Sequence, residues 1–308
     1  MTALASMGVQ IVLFDNDPAQ QLRLAEGLAT TLSRAKSVAG LEQVAVRWGD
    51  SSSSPCLSRD VAAELRRRLA DVTEDVSVDV FGENLGSAGG SNALARLGSE
   101  EVIWVLNPDT YPSPKTAELM LEALARPGVG ATEGRQLPVE LPKEYDPATG
   151  DTEWASGCCM MVRRSVFEAV GGFDEHFFPM YCDDVDFSWR LRLAGHRIVY
   201  VPLAGVFHDK RVGDDGSVQI SEFAVLDSAR ARLFLARRYG RPDVEQELRD
   251  WVAEHGTPEH RRAVAQFERR ERAGDVPARL DGAESVATFL GADYAHHRYA
   301  QSVVVAPH

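Results

Sequence analysis

Glu101-Val102-Ile103-Trp104-Val105-Leu106-Asn107-Pro108-Asp109-Thr110-Tyr111 is the stretch that decides the fold. Its five apolar residues, Val102 to Leu106, show no helical period and are bounded by polar turn residues. A run of that kind reads as a short strand buried on both faces. Pro108 removes a backbone donor and stops it, so Asp109 is delivered at the carboxyl end of a central strand. In open α/β sheets ligands bind at that end.

Working outward, Val9–Phe14, Gln43–Trp48 and Ser77–Phe81 read as three earlier strands. The segments after them, Gln20–Leu32, Ser58–Leu69 and a glycine-rich stretch ending at Leu97, read as helices. With Pro114–Ala125 as the helix after the central strand, the alternation predicts an α/β fold: a mostly parallel central sheet with helices on both faces. Pro127–Glu153 reads as a loop over the sheet. Trp154–Val162 is apolar again, Ser165–Val170 is a short helix and Arg197–Pro202 another strand. From Asp227 the texture is helical, over Asp227–Tyr239, Asp243–Glu254 and Pro258–Arg272. The expected division is an α/β domain over residues 1–215 and a helical region over residues 216–308.

The chain has 308 residues with 33 Lys and Arg against 46 Asp and Glu, a net charge of −13. Phosphate-backbone binding relies on Lys and Arg, so nucleic acid is excluded as the main partner. Cys56, Cys158, Cys159 and Cys182 form no C-x-x-C pair and read as reduced thiols, which points to the cytoplasm. No signal peptide or membrane-spanning run is expected. Ser228–Arg241 holds five arginines and no acid. Such a helix either lies on the inner face of a membrane or packs on the first domain; a contact between subunits is a further use for it.

Several residues carry chemistry. Asp109 is one, and Asp50 with the serines that follow it is a second. Asn84-Leu85-Gly86-Ser87-Ala88-Gly89-Gly90-Ser91-Asn92 could bring backbone close to a phosphate at a helix start, although a plain strand-to-helix loop explains it equally well. It is neither the dinucleotide G-x-G-x-x-G nor a P-loop, which disfavours a nicotinamide oxidoreductase. Asp183, Asp184 and Asp186 open a helix whose Val185, Trp189 and Leu193 share one face. Acids suit a helix N-terminus, yet three in four residues repel one another. His208 by itself reads as structural.

Taken in order, these pieces resemble the family-2 glycosyltransferases of the GT-A fold, especially the rhamnosyl- and galactofuranosyltransferase-like members. Asn84–Asn92 is similar to the family's N-L-G-x-A-G-G-x-N, and Asn107-Pro108-Asp109 to its N-P-D metal motif. Trp154–Phe178 is similar to its acceptor-side segment, Asp183-Asp184-Val185-Asp186 to its E-D-x-D, and His208 to its late metal-binding histidine. The resemblance covers roughly residues 9–211. It implies that Asp109 and His208 hold Mg²⁺ or Mn²⁺ on a donor diphosphate. Phe14, Asp50, Asn84, Gly86, Asn92 and Asn107 would line the nucleotide. Asp184 would be the general base, and Trp154 and Asp183 would shape the acceptor site. The implied activity is inverting transfer of a hexose from a UDP- or dTDP-linked donor to a saccharide or lipid-linked acceptor. A small natural-product acceptor is the alternative within that class. Departures are Asn107 in place of an acid, Asp183 where Glu is more usual, and Phe14-Asp15-Asn16 in place of Thr-Tyr-Asn. With half the metal motif an amide, a nucleotide-sugar-binding protein without turnover is the alternative from another class.

Overall fold

The computed structural model describes residues 4–140, 142, 144–210 and 220–296. The boundary expected at residues 215 and 216 falls outside them. The first part alternates β1 (Ser6–Leu13), α1 (Pro18–Val38), β2 (Gln43–Asp50), α2 (Arg59–Leu69), β3 (Asp75–Val80), α3 (Gly86–Arg96) and β4 (Val102–Leu106). Then come β5 (Thr110–Pro112), α4 (Thr116–Leu124), β6 (Val129–Leu137), β7 (Asp151–Thr152), β8 (Cys159–Arg163), α5 (Arg164–Ala169), α6 (Asp183–Leu193) and β9 (Arg197–His208). The chain continues with α7 (Glu222–Arg238), α8 (Pro242–His255) and α9 (Pro258–Arg272).

Among the described residues all nine strands join one sheet, ordered β3-β2-β1-β4-β8-β6-β9-β5, with β7 also on β9. The first four strands pair in parallel. Every residue of β4 is buried, as its unbroken apolar run predicts. Beyond β4 the sheet is mixed: β8 runs antiparallel to β4 and β6, and β9 runs parallel to β6.

β6 corrects the expectation of a loop over Pro127–Glu153. Its sequence, Val-Gly-Ala-Thr-Glu-Gly-Arg-Gln-Leu, lacks the apolar signature of a strand, yet it lies between β8 and β9. The glycines explain the choice of small residues. A Cβ on Gly134 would lie 2.8 Å from the Ala204 carbonyl oxygen and 3.0 Å from Cys159 Sγ. Bare backbone is what lets the neighbours close on this strand.

Helices cover both faces. Leu24 and Leu28 of α1, Leu65 of α2 and Met120 of α4 pack with Trp48 and Trp104 in one core. On the opposite side Ala88, Phe167, Phe187 and Leu191 pack with Ile103 and Val162. α6 has two apolar faces. Phe187 and Leu191 join the sheet-side core, while Val185 and Trp189 join a third cluster with Leu233 and Phe234 of α7, Leu248 of α8 and Phe267 of α9.

The arginines of Ser228–Arg241 are engaged inside the fold. Arg230 pairs with Asp227 at 2.6 Å, Arg232 with Asp293 at 3.1 Å, Arg237 with Glu245 at 2.9 Å and Arg241 with Asp243 at 2.7 Å. Arg238 reaches Asp186 at 2.9 Å and also pairs with Asp174. α7 packs on the third cluster through Leu233 and Phe234, and each of these arginines has a carboxylate partner. Among the described residues no helix is long and apolar enough to cross a membrane.

Candidate active site

β4 ends in a tight turn. The Asn107 N–H donates to the Cys158 carbonyl at 3.0 Å, and the Asn107 carbonyl accepts from the N–H and hydroxyl of Thr110. Fully buried Gln21 of α1 clamps this turn from below. It donates to the Pro108 carbonyl at 3.0 Å and accepts from Trp48 Nε1 at 3.1 Å. β5 pairs antiparallel with the end of β9, Thr110 opposite His208. That return places His208 Nε2 3.3 Å from Asp109 Oδ1. Cis ligands of an octahedral cation at 2.0–2.1 Å stand about 3 Å apart, so the two atoms fit one edge of such a shell. No cluster of three or more His, Cys, Asp or Glu side chains suited to a metal occurs among the described residues. A cation here would draw its remaining oxygens from a bound anion.

Asp50 is fully buried at the end of β2 and accepts from the N–H groups of Ser52 at 2.9 Å and Cys56 at 2.7 Å. Burial pushes its carboxyl up, but the Ser52 and Cys56 hydrogen bonds outweigh this and leave it below the usual value. The serine run is therefore a built turn. Ser52 Oγ accepts from the Asp15 N–H at 2.8 Å, tying the turn to the end of β1, where Phe14 is 50% exposed.

In the glycine stretch, Asn84 Oδ1 accepts from the Gly86 N–H at 3.0 Å. Gly86 has φ +68°, and a Cβ there would lie 2.4 Å from the Pro179 carbonyl oxygen. Only glycine fits, because α3 begins against the segment leading into α6. The Asn92 amide is engaged by the turn after α5. It accepts from the Phe173 N–H and donates to the Phe173 carbonyl and to Glu175.

Tyr181 and Cys182 enter α6 with φ +63° and +56°, a left-handed conformation that costs about 1–3 kcal/mol per non-glycine residue. The three acids beyond them have different surroundings. Asp186 is fully buried between Arg190, at 2.8 Å, and Arg238. Asp184 is half-buried and accepts from the Gly157 and Val185 N–H groups, each at 2.9 Å. Asp183 is buried beside Ser87; burial and the Asp184 carboxylate push it up to about 8, against a hydrogen bond from Ser87.

One stability prediction follows for Asp183. Its carboxyl binds a proton more tightly folded than unfolded, so stability falls as pH rises from the ordinary Asp value toward 8. Asp183→Asn removes that loss. Its melting temperature relative to wild type should climb between pH 5 and pH 8; a constant difference across that range would refute the raised value.

The acids and the Asp109–His208 pair meet at two consecutive residues. Gly157 N–H binds Asp184, while Cys158 carbonyl accepts from Asn107 and Cys158 Sγ lies 3.2 Å from His208 Nδ1. Asp109 is paired with His208, and the arginine Arg238 is taken by Asp186. Trp154 is 7% exposed, packed edge-on against Tyr294 at 5.3 Å. Two surface clefts of about 420 and 550 Å³ lie elsewhere and contain none of these residues. Sequence reasoning missed Gln21, Ser87, Gln136 and Tyr294. Only Ser87, inside the glycine stretch, carried any signal.

The chain as a whole has relatives among known proteins. No family model matches the chain. It is 32% identical over 176 residues to the N-acetylglucosaminyl-diphospho-decaprenol L-rhamnosyltransferase of Mycobacterium tuberculosis, across 42% of this chain and 57% of the relative. It is 44% identical over 69 residues to rhamnosyltransferase WbbL of Escherichia coli, across 22% of this chain and 26% of that protein. The aligned part spans less than two thirds of either relative. Among solved structures, GalNAc-T7 with UDP, GalNAc and Mn²⁺ superposes with a TM-score of 0.65 at 12% identity, covering 89% of this chain and 56% of the other. The structural likeness shows the GT-A fold, and both named relatives are rhamnosyltransferases. Together they support a family-2 glycosyltransferase.

Proposed function

We propose that the chain moves a sugar from a nucleotide-diphosphate donor, UDP- or dTDP-linked, to a hydroxyl of a saccharide or lipid-linked saccharide, with inversion. The observation that carries this reading is the junction at Gly157 and Cys158, which joins a cation-type pair to an acidic pair across one loop. The decaprenol-linked substrate in the name of the mycobacterial relative supports a lipid-linked acceptor, met at the inner face of the membrane by a cytoplasmic protein.

Asp109 Oδ1 and His208 Nε2 would hold Mg²⁺ or Mn²⁺, which neutralises charge on the departing diphosphate. The chain's own residues do the rest. Phe14, Asp50, Asn84, Gly86 and Asn107 stand at the strand ends and loop that would line the nucleotide, while Asn92 braces that loop's helix from behind. Asp184, half-buried beside the Asp183 carboxyl that burial pushes up, takes the proton of the acceptor hydroxyl. Trp154, under Tyr294, backs the acceptor side. Asn107 in place of a carboxylate favours one competing reading, a protein that binds nucleotide-sugar without turning it over.

A thermal-shift series with UDP and dTDP, each with and without Mn²⁺, tests the donor half. A nucleotide at 100 times its Kd should stabilise the fold by about 2.7 kcal/mol, only with Mn²⁺, and Asp109→Asn should abolish the effect. Absence of any Mn²⁺-dependent shift in wild type would overturn the reading.

A further inference from the structure

We propose that Gln136 is a positioning residue that sets the tautomer of His208, keeping the proton on Nδ1 so that the Nε2 lone pair faces Asp109. The inference rests on the assignment of Asp109 and His208 as the cation pair. Gln136 lies near the end of β6, 7% exposed, in register with Val206 of β9. It therefore shares a sheet face with His208, two residues further along. Its own backbone N–H is fixed by Glu140 at 3.0 Å, and its Oε1 lies 2.9 Å from His208 Nδ1.

A carbonyl oxygen only accepts, so that contact is a hydrogen bond only when Nδ1 carries the proton. The same imidazole has a second arrangement open to it. Cys158 Sγ lies 3.2 Å from Nδ1, and Nε2 lies 3.3 Å from Asp109 Oδ1. With the proton on Nε2, the ring would face Asp109 at 3.3 Å, longer than a charge-assisted hydrogen bond, and accept from the Cys158 thiol. That arrangement occupies the lone pair a cation needs. A thiol is a weak donor, whereas N–H to amide carbonyl is a full hydrogen bond. Gln136 thus selects the open arrangement, and the Cys158 thiol is the fallback when Gln136 is lost. Residues that hold the outer nitrogen of a ligand histidine typically change metal affinity 10- to 100-fold when removed.

The test uses the full chain, metal-free and labelled with nitrogen-15 at histidine, with His208 assigned by comparison with His208→Gln. Long-range proton–nitrogen spectra should show His208 protonated at Nδ1 and bare at Nε2. Gln136→Met, close in volume but without a carbonyl, should move the proton toward Nε2, whereas Cys158→Ala should leave it in place. Mn²⁺ binding in the presence of dTDP or UDP, read from the paramagnetic resonance of free Mn²⁺, should weaken about 10- to 100-fold in Gln136→Met. Wild-type protein with the proton on Nε2 would overturn the proposal without any variant. So would a shift caused by Cys158→Ala and not by Gln136→Met. The stated tautomer in wild type that binds no Mn²⁺ with either nucleotide would support the hold of Gln136 on the ring and overturn the cation assignment.

Discussion

Asp184→Asn is expected to lower the turnover of sugar transfer by about 10²- to 10⁴-fold, the range assigned to a positioned proton acceptor. Donor binding should stay within a few-fold of wild type. The substitution keeps shape and one oxygen, but removes the carboxylate. Asp184 accepts from both the Gly157 and Val185 N–H groups, and asparagine can satisfy one of them with its oxygen. The accompanying stability loss should be about 0.5–1.5 kcal/mol, small enough to separate from a collapse of the site. Turnover would be followed as nucleotide released from donor and acceptor together, and binding as the Mn²⁺-dependent thermal shift. Asp183→Asn is the companion: its protonated side chain makes it a poor proton acceptor, so its effect on turnover should be the smaller. Near-normal turnover in Asp184→Asn, or the reverse ranking of the two variants, would remove Asp184 from its assigned role.

The second large effect is on the fold. Arg238→Met should cost about 3–5 kcal/mol, the cost of breaking a buried ion pair from one side. Arg238 is 7% exposed, bonded to fully buried Asp186 at 2.9 Å and to Asp174, with its guanidinium 5.0 Å from the Phe178 ring centroid. Methionine fills the volume and leaves Asp186 with Arg190 and the Tyr239 hydroxyl. Urea denaturation at neutral pH checks it: the midpoint should fall with the slope unchanged. Asp174→Asn and the double variant complete a cycle whose coupling term should exceed about 1 kcal/mol. A loss below that in Arg238→Met alone would mean that the network is not buried as described.

What could be read directly was local. Val102–Leu106 announced a strand buried on both faces because every residue in it meets apolar neighbours, and Pro108 fixed where it stops. The acidic cluster was legible as a helix start, but not the difference among its members. Asp186 is structural because Arg238 arrives from 52 residues away, and Asp183 is pushed up to about 8 because burial and the Asp184 carboxylate disfavour its charge. β6 was invisible because close approach selected glycine, threonine and alanine over the larger residues that signal a strand. The arginines of α7 suggested a surface because counting charge along one helix ignores carboxylates brought in by α6, α8 and the Asp293 segment. His208 read as structural on its own and gained a role from the family resemblance; the sheet adds its neighbours, Asp109 and Gln136.

The two-sided burial of α6 bears on engineering. Its sheet side and its Val185–Trp189 side are filled by different parts of the chain, and the acids sit at the start of that shared helix. A chimera that retained the first 210 residues and borrowed its last three helices from a cousin would present Asp183 and Asp184 on a helix with one flank refilled by strangers. If these acids serve the acceptor as proposed, its preference is not a detachable cassette: exchanging the tail would retune the chemistry along with the guest.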